Sequence, residues 1–291
     1  MGIDNPLRKI LVTGSKGQLG SEIKVLSANY CQFEFIFVDR STFSLENENQ
    51  MIDFLNKNKP NFIVNCAAYT AVDRAETEKE LANIINNIAV GIMAKWCFEN
   101  DAKLVHISTD YVFDGTSAIP LTEESKTNPI NHYGLTKLSG EKNCIARNPE
   151  SIIIRTSWVY SEFGTNFVKT MMRLMQEREQ LNIVNDQIGS PTYAADLAQI
   201  ILFIIADREW KSGTYNFSND GEISWLEFAQ AIKEITKSSC ELTGVTSAAY
   251  PTPASRPKYS LLDKSKIKNT FNFNITDYQT SLTACINKLQ N

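Results

Sequence analysis

Short apolar runs alternate with amphipathic stretches through the first half of the chain. The runs predict buried strands over Lys9–Thr13, Phe33–Val38, Asn61–Cys66, Lys103–Ser108 and Ser151–Arg155. Between the runs, the spacing of apolar residues predicts helices over Leu19–Ala28, Gln50–Asn58, Glu78–Asn100 and Tyr133–Arg147. Strands that are apolar on both faces and separated by helices are typical of a parallel sheet covered on both sides. The pattern therefore predicts an α/β fold with a doubly wound parallel sheet.

The second half of the chain is less regular. Helices are predicted over Phe163–Glu179, Ala194–Ala206 and Trp225–Thr236, and Ser224 is placed to cap the last of them. The stretch Ser239–Ser260 has few periodic signals and several prolines. A chain of 291 residues is long for one hydrophobic core. We therefore expect a larger domain, mainly residues 1–160, and a smaller lobe, mainly residues 161–291, with some segments of the lobe returning to the larger domain.

A glycine-rich turn joins the first predicted strand to the first predicted helix. Gly14, Gly17 and Gly20 follow the strand with the spacing GxxGxxG. Such glycines permit a tight turn, the approach of backbone N–H groups to a pyrophosphate, and close packing of the helix on the sheet. Asp39 ends the second strand, where a carboxylate binds the hydroxyls of an adenosine ribose, and the neighbouring Arg40 suits the 2′-phosphate of NADP. The larger domain is thus predicted to be a Rossmann-type domain that binds NADH or NADPH, and the smaller lobe to bind the substrate.

A second motif, YxxxK, consists of Tyr133 and Lys137, which a helix places on one face. A tyrosine hydroxyl has a pKa of about 10, and a neighbouring ammonium group lowers it. Lys137 is therefore expected to tune the pKa of Tyr133 and to hold the nicotinamide ribose. Thr109 ends the fourth predicted strand, at the edge where doubly wound sheets bind ligands. Together these residues predict a site for the proton transfer that accompanies hydride transfer.

Composition and charge exclude several classes of function. The formal net charge is -4 and no basic stripe is present, so nucleic acid is not an expected partner. The 6 cysteines form no CxxC pair and the chain has only 2 histidines, so no metal site is predicted. Cys66, Cys97 and Cys285 lie in apolar patterns and are expected to be small core residues. No apolar run is expected to be long enough to span a membrane and no signal-peptide pattern opens the chain, so we expect a cytoplasmic location.

Seven longer blocks extend these motifs over nearly the whole chain. They are Val12–Gly20, Asn65–Asp73, Ile107–Gly115, Asn131–Lys137, Arg155–Tyr160, Val184–Thr192 and Pro251–Pro257. In these blocks, and in their order, the chain resembles the extended short-chain dehydrogenases and, among them, the dTDP-4-dehydrorhamnose reductase family. The sequences STDYVFDG and RTSWVY, within the third and fifth blocks, are considerably more specific than the glycine turn.

The resemblance implies a reaction and a set of roles. The reaction is the reduction of the C4 keto group of dTDP-4-dehydro-L-rhamnose by NADPH or NADH, with Tyr133 as proton donor and with Lys137 and Thr109 assisting. The implied cofactor contacts are Gly14, Gly17, Gln18, Leu19, Asp39, Arg40, Ala67, Ala68, Tyr69, Tyr133 and Lys137. The implied contacts with the dTDP-linked 4-keto-6-deoxy sugar are Thr109, Asp110, Trp158 and Arg256. A core position for Trp158 and a surface position for Arg256 remain alternatives, and a homodimer is left open.

Two departures from the family's pattern affect these expectations. Phe43–Glu46 stands where the family usually has a Leu-Asp motif near the adenine, and Ser255 stands where an arginine often precedes Arg256. Two other functions stay open. The alternatives are a reductase of another nucleotide-linked 4-keto sugar and a non-catalytic, NADP-binding regulatory subunit, and the intact Tyr133–Lys137 pair argues against the latter.

Overall fold

Strands and helices alternate along the chain of the computed structural model, which describes residues 6–207 and 209–290. The strands are β1 (Arg8–Thr13), β2 (Phe33–Phe37), β3 (Phe62–Asn65), β4 (Lys103–Thr109), β5 (Ile152–Thr156), β6 (Val159–Tyr160), β7 (Gln180–Val184), β8 (Ile188–Gly189), β9 (Thr192–Tyr193), β10 (Gly213–Asn216), β11 (Ile223–Ser224) and β12 (Glu241–Val245). The helices are α1 (Gln18–Leu26), α2 (Glu48–Asn58), α3 (Val72–Ala75), α4 (Lys79–Asn83), α5 (Ala89–Glu99), α6 (His132–Arg147), α7 (Phe167–Glu177), α8 (Ala194–Ala206), α9 (Trp225–Thr236), α10 (Ser265–Phe271) and α11 (Tyr278–Gln290).

A parallel sheet of 6 strands in the order β10-β5-β4-β3-β1-β2 forms the centre of the fold. Its first five strands along the chain are the predicted ones, with ends that differ by at most one residue. The sixth, β10, comes from beyond residue 160 and pairs with β5. The strand order reverses between β1 and β3, which opens a crevice at their carboxyl ends. The predicted doubly wound α/β fold is confirmed.

Helices cover both faces of this sheet because alternate residues of each strand point to opposite sides. Ile10 and Val12 belong to the apolar cluster that α1 and α8 cover. Leu11 and Ile63 belong to the cluster on the other face, beneath α2 and α5. Fully burying one such side chain stabilises the fold by about 1.5–3 kcal/mol, so burial on both faces accounts for the wholly apolar strands.

The long helix predicted over Glu78–Asn100 is interrupted by a π-helical turn, Ile84–Ile88, between α4 and α5. In the described part of the chain, this segment, Lys79–Glu99, has the length and mean hydropathy, 1.3, that a membrane span requires. The expectation that no apolar run is long enough is therefore wrong by that criterion. Half of its most apolar window is buried inside the protein, where it packs on α6 and β4 as a core helix does.

The smaller lobe has its own apolar core, formed by α7, α9, α11 and short strand pairs. Ser224 caps α9 as predicted: its hydroxyl accepts from the N–H of Glu227, whose carboxylate accepts from the N–H of Ser224 at 2.7 Å. Helix α7 begins at Phe167, later than predicted, because Asn166 caps it. Strand β12, in the stretch without periodic signals, pairs with β7 over five positions.

A pair of carboxyl groups joins the lobe to the sheet domain. The buried Glu22 of α1 accepts a hydrogen bond of 2.6 Å from Ser161 and shares a hydrogen bond with Glu162. Burial, followed by the carboxyl group of Glu162, raises the pKa of Glu22 to about 7. Lys288 of α11 donates to Glu162 at 2.8 Å, so Glu162 carries the negative charge and Glu22 keeps its proton below about pH 7.

Candidate active site

A cavity of about 820 Å³ lies along the carboxyl ends of β1, β3 and β4. All but one of the sequence-predicted site residues line it, namely Gly14, Gly17, Gln18, Leu19, Asp39, Arg40, Ala67, Ala68, Tyr69, Thr109, Asp110, Tyr133, Lys137 and Trp158. Arg256 does not line it. The crevice at the reversal of strand order thus brings together residues from six separate parts of the sequence.

The glycine turn is shaped for close backbone contact. Gly14 has φ +64°, and a Cβ there would lie 2.9 Å from the backbone of Ala67. A Cβ on Gly20 would lie 2.4 Å from the carbonyl oxygen of Gly14, so this glycine lets α1 start against the turn. Gly17 is the N-cap of α1, and no side chain caps the helix there. An open helix N-terminus that lines a cavity fits a pyrophosphate, which backbone N–H groups and the helix dipole stabilise.

Charged side chains of both signs lie at the end of β2. Asp39 accepts hydrogen bonds from the N–H and hydroxyl of Ser41 and forms an ion pair of 2.5 Å with Lys16. Lys16 and Ser41 hold the pKa of Asp39 far below its usual range, so it is a carboxylate. Arg40 pairs with Glu46. The carboxylate suits ribose hydroxyls and the two cations suit a phosphate.

The loop after β3 is held by a residue that the sequence analysis did not identify. Asn86, in the π-helical turn, accepts from the N–H of Tyr69 at 2.8 Å and donates to its carbonyl at 3.1 Å. It also donates to the hydroxyl of Thr136 on α6, so it ties the loop to the helix that carries Tyr133. The available sequence signal was an asparagine within an apolar helix pattern, and the structure buries this side chain to 1% exposure.

Tyr133 is buried at the start of α6, with its ring edge-on to Tyr111 at 5.5 Å. Asn131 caps the helix by accepting from the N–H of Gly134 at 2.8 Å, which sets where Tyr133 lies. Burial raises the pKa of Tyr133 to about 12, the side chain of Thr109 opposes this shift, and Asp110 adds to it. The hydroxyl therefore keeps its proton near neutral pH and is suited to donate it.

Lys137 lies one turn further along α6 and is also buried. Its Nζ donates to the backbone carbonyl of Ile107 at 2.6 Å and lies 3.4 Å from Nε2 of His106. Burial lowers the pKa of Lys137 to about 8, although the nearby carboxylate of Glu141 acts to raise it. Lys137 is not among the groups that shift the pKa of Tyr133. Burial dominates the pKa of Tyr133 in this structure, and the expectation that Lys137 lowers that pKa stays a prediction.

Asp110 follows β4 and lies almost wholly inside the protein. It accepts a hydrogen bond of 3.0 Å from the hydroxyl of Thr109. Burial raises the pKa of Asp110 to about 6, although hydrogen bonds with Ser260 and Thr109 oppose the shift. A buried carboxyl group that lines the cavity is suited to accept a hydrogen bond from a hydroxyl of a bound sugar.

Trp158 lies against the lobe. Its backbone has φ +48°, which non-glycine residues seldom adopt, and its ring stacks on Trp225 at 3.7 Å. A Cβ on Gly189 would come within 3.0 Å of the indole, so the ring is held on that side too. A strained backbone that neighbours hold in place is typical of ligand sites.

Arg256 is engaged outside the cavity. It forms an ion pair of 2.9 Å with Asp73 and donates to the carbonyl of Ala254 at 3.1 Å. The side chain is partly buried, so it is neither a free surface residue nor one that faces the cavity. Ser255, in place of a second arginine, accepts a hydrogen bond from Asn131 through its carbonyl at 2.7 Å.

Further residues line the cavity that the sequence did not predict to be site residues. They are Phe43, Leu45, Glu46, Cys66, Thr70, Ala71, Val72, Ile85, Ile107, Ser108, Tyr111, Thr156, Ser157, Val159, Gly164, Thr165 and Leu197. Cys66 lines the cavity, whereas Cys97 and Cys285 are buried core residues as predicted. Phe43 and Leu45, at the departure from the family's pattern, pack into the core beneath α2 while bordering the cavity. Their apolar character alone could not distinguish a cavity wall from ordinary core.

Comparison with known proteins shows the family to which the chain belongs. Residues 8–291 match the sequence model of the family described as RmlD substrate binding domain. A dTDP-4-dehydrorhamnose reductase from Aggregatibacter actinomycetemcomitans is 37% identical over 286 residues, which are 95% of this chain and 97% of the relative. The chain belongs to this family. The resemblance stated from the sequence blocks is confirmed.

Solved structures of family members have the same fold. A dTDP-4-dehydrorhamnose reductase from Clostridium acetobutylicum superposes with a TM-score of 0.93 and 40% identity, over 97% of this chain and 100% of that one. A second, from Bacillus anthracis, was solved in complex with NADP and superposes with a TM-score of 0.93 and 36% identity, again over 97% and 100% of the two chains.

Proposed function

We propose that this RmlD family member reduces the C4 keto group of dTDP-4-dehydro-L-rhamnose to a hydroxyl, which yields dTDP-L-rhamnose. The observation that carries the proposal is the single cavity in which the glycine turn, Thr109, Tyr133, Lys137 and Trp158 meet. A nicotinamide cofactor, when bound, supplies the hydride that adds to C4.

The chain's own residues would manage the proton. Tyr133 donates its hydroxyl proton to the C4 oxygen as the C4–hydride bond forms, so the carbonyl becomes a hydroxyl and the tyrosine a phenolate. Its raised pKa keeps the proton available until the substrate oxygen becomes basic. Thr109 hydrogen-bonds the same oxygen. Lys137, as an ammonium group, stabilises the phenolate, so turnover should fall as the pH rises through the pKa of Lys137, about 8.

Both NADH and NADPH would be accepted at the end of the cavity near β2. Asp39 would bind the ribose hydroxyls of NADH. Lys16 and Arg40 would bind the 2′-phosphate of NADPH, since each can exchange its carboxylate partner for a phosphate oxygen.

The lobe formed mainly by residues 161–291 would bind the sugar nucleotide, while residues 1–160 bind mainly the cofactor. Asp110 would accept a hydrogen bond from a sugar hydroxyl, and Trp158 would pack on the apolar face of the sugar. Arg256 would contact a nucleotide phosphate only after its guanidinium group releases the carboxylate of Asp73. The homodimer and the cytoplasmic location stay predictions.

The test is whether the protein oxidises NADPH or NADH in the presence of dTDP-4-dehydro-L-rhamnose. The loss of absorbance of the reduced nicotinamide measures the rate. Tyr133→Phe removes the proton donor and should lower kcat by about 100-fold to 10,000-fold. Tyr250→Phe, at an exposed tyrosine outside the cavity, is the matched control and should leave turnover unchanged. Full activity of Tyr133→Phe would exclude the assigned role.

A panel of nucleotide-linked 4-keto sugars tests the substrate. Faster turnover of another sugar would replace the proposed substrate while leaving the chemistry intact. Tight NADP binding without turnover of any sugar, together with co-purification of a partner enzyme, would show a regulatory subunit instead.

A further inference from the structure

Three polar side chains form a row across one of the two buried faces of the central sheet, the face beneath α2 and α5. Thr13, Asn65 and His106 lie side by side on β1, β3 and β4, as the register pairs Thr13↔Asn65 and Asn65↔His106 show. None is more than 1% exposed. The residues two positions earlier on each strand, Leu11, Ile63 and Leu104, belong to the apolar cluster on this face. Polar groups buried among apolar ones are costly unless each is hydrogen-bonded.

The hydrogen bonds of this polar row run in one direction. The N–H of Ala67 donates to Oγ1 of Thr13 at 3.1 Å, and the hydroxyl donates its single hydrogen to Oδ1 of Asn65 at 2.7 Å. An amide that accepts through oxygen presents its NH₂ on the other side. Nδ2 of Asn65 lies 3.0 Å from Nδ1 of His106, so Nδ1 is the acceptor.

His106 is left with one protonation state and one tautomer. A neutral imidazole whose Nδ1 accepts carries its hydrogen on Nε2. A second proton on Nδ1 would face the Asn65 NH₂, and burial, followed by Lys137, holds the pKa of His106 well below its usual range. The Nε2–H group therefore points at Nζ of Lys137, 3.4 Å away.

We propose that His106 is a positioning residue for Lys137, because the polar row holds its imidazole as the neutral Nε2–H tautomer and presents a donor to the lysine amine. The proposal rests on the proposed function for the role of Lys137. The neutral amine of Lys137 can accept a hydrogen bond from Nε2–H with its lone pair. An ammonium group has no lone pair, so its N–H groups would face the Nε2–H donor with no acceptor between them. The contact thus favours loss of the lysine proton and leaves the remaining N–H groups for the Ile107 carbonyl and the cavity.

The other groups around Lys137 act in the opposite direction. Glu141 and Cys144, further along α6, both raise its pKa, and Glu141 is itself paired with Arg155. Tyr133 precedes it by one turn and lines the cavity. On the sheet side, His106 is the titratable group in hydrogen-bonding distance. His106 is therefore the side chain whose replacement should move the pKa of Lys137 upward.

The tautomer can be observed directly by nitrogen NMR of histidine-labelled protein. The chain has 2 histidines, so in the His132→Gln variant the only histidine signals are those of His106. We expect a neutral Nε2–H imidazole that does not titrate between about pH 5 and pH 9, whereas a free histidine titrates near about 6.5. An Nδ1–H tautomer, or a titration near the ordinary value, would overturn the proposal.

The consequence is tested with His106→Gln, whose amide oxygen can accept from the Lys137 ammonium group. The alkaline limb of kcat/KM should then shift upward by about one pH unit, the size expected for a hydrogen bond to a charged group. His132→Gln is the matched control and should leave the limb in place. Urea unfolding establishes that the variant is folded, and an unmoved limb in folded His106→Gln would contradict the proposal.

A second variant and a second signal cover the remaining outcomes. Asn65→Asp is isosteric and replaces the donor to Nδ1 by an acceptor, so it should reverse the tautomer and likewise raise the pKa of Lys137. That pKa can be read without turnover from the Cε carbon NMR signal of Lys137, assigned with Lys137→Met. If no sugar is reduced but this signal still shifts, the proposed function fails and the role of His106 stands. If the sugar is reduced but neither variant shifts the Lys137 signal, the role of His106 fails and the proposed function stands.

Discussion

Replacing Glu141 by glutamine removes one charge of an ion pair buried beneath the cavity. The carboxylate accepts from Nε and Nη2 of Arg155 at 3.0 and 2.7 Å and from the hydroxyl of Ser108 at 2.5 Å. The two charged side chains are 3% and 7% exposed. Glu141→Gln keeps the shape of the side chain and leaves the guanidinium charge buried without a counter-charge.

The expected cost follows from this burial. Breaking a buried ion pair by removing one partner typically costs about 3–5 kcal/mol, because the remaining charge is uncompensated. For a protein of this size we expect each kcal/mol to lower Tm by about 2 °C, so Tm should fall by about 6–10 °C. Urea unfolding of the cofactor-free protein at neutral pH, followed by tryptophan fluorescence, gives the change in the free energy of unfolding.

Two controls make this measurement decisive. Glu177→Gln breaks the exposed pair with Arg173, whose side chains are 51% and 59% exposed, and should cost less than about 1 kcal/mol. The double variant Glu141→Met with Arg155→Met removes both charges and should recover most of the lost stability. A loss below about 1 kcal/mol for Glu141→Gln, or an equal loss for Glu177→Gln, would refute the argument that burial sets the cost.

Three further predictions concern the glycine turn, the carboxyl pair and cofactor choice. Gly20→Ala puts a Cβ 2.4 Å from the Gly14 carbonyl oxygen, so calorimetry should show an NADPH affinity at least about tenfold lower. Gly17→Ala puts its Cβ 3.2 Å from the same oxygen, so this variant should stay folded and lose less affinity. The pKa of Glu22 is raised from 4.5 to about 7, so its contribution to stability is full below pH 4.5 and is lost as the pH rises through 7. Glu22→Gln should therefore nearly match the wild type in urea unfolding at pH 4.5 and exceed it by about 3 kcal/mol at pH 8. Lys16→Ala should raise KM for NADPH about tenfold and leave KM for NADH nearly unchanged, since only NADPH carries a 2′-phosphate for this lysine to bind.

Each of these has an outcome that would contradict it. Equal NADPH affinity of the two alanine variants would mean that the turn yields easily. A constant stability difference between Glu22→Gln and the wild type at every pH would mean that the glutamate is ionised in the folded protein. An equal loss for both cofactors in Lys16→Ala would assign that lysine to the shared pyrophosphate.

The sequence by itself determined the sheet and most of the residues at its carboxyl edge. A parallel strand covered on both faces is apolar along most of its length, so its run is visible without any partner. Gly17 and Gly20 lie against the carbonyl oxygen of Gly14, so this part of the glycine spacing is dictated by backbone contacts within the turn and the start of α1. Tyr133 and Lys137 share a helix face through a local period, and the family's blocks connect them to Thr109 and Trp158.

Only the tertiary structure decided which distant groups meet. Strand β10 carries the short sequence GTYN, so nothing local marks it as the sixth strand until β5 pairs with it. Arg256 binds Asp73, which lies 183 residues earlier, instead of lining the cavity. The raised pKa of Tyr133 and the contact of His106 with Lys137 arise from enclosure by several elements. A residue pattern records whether a side chain is buried, whereas its partners depend on how the buried faces pack together.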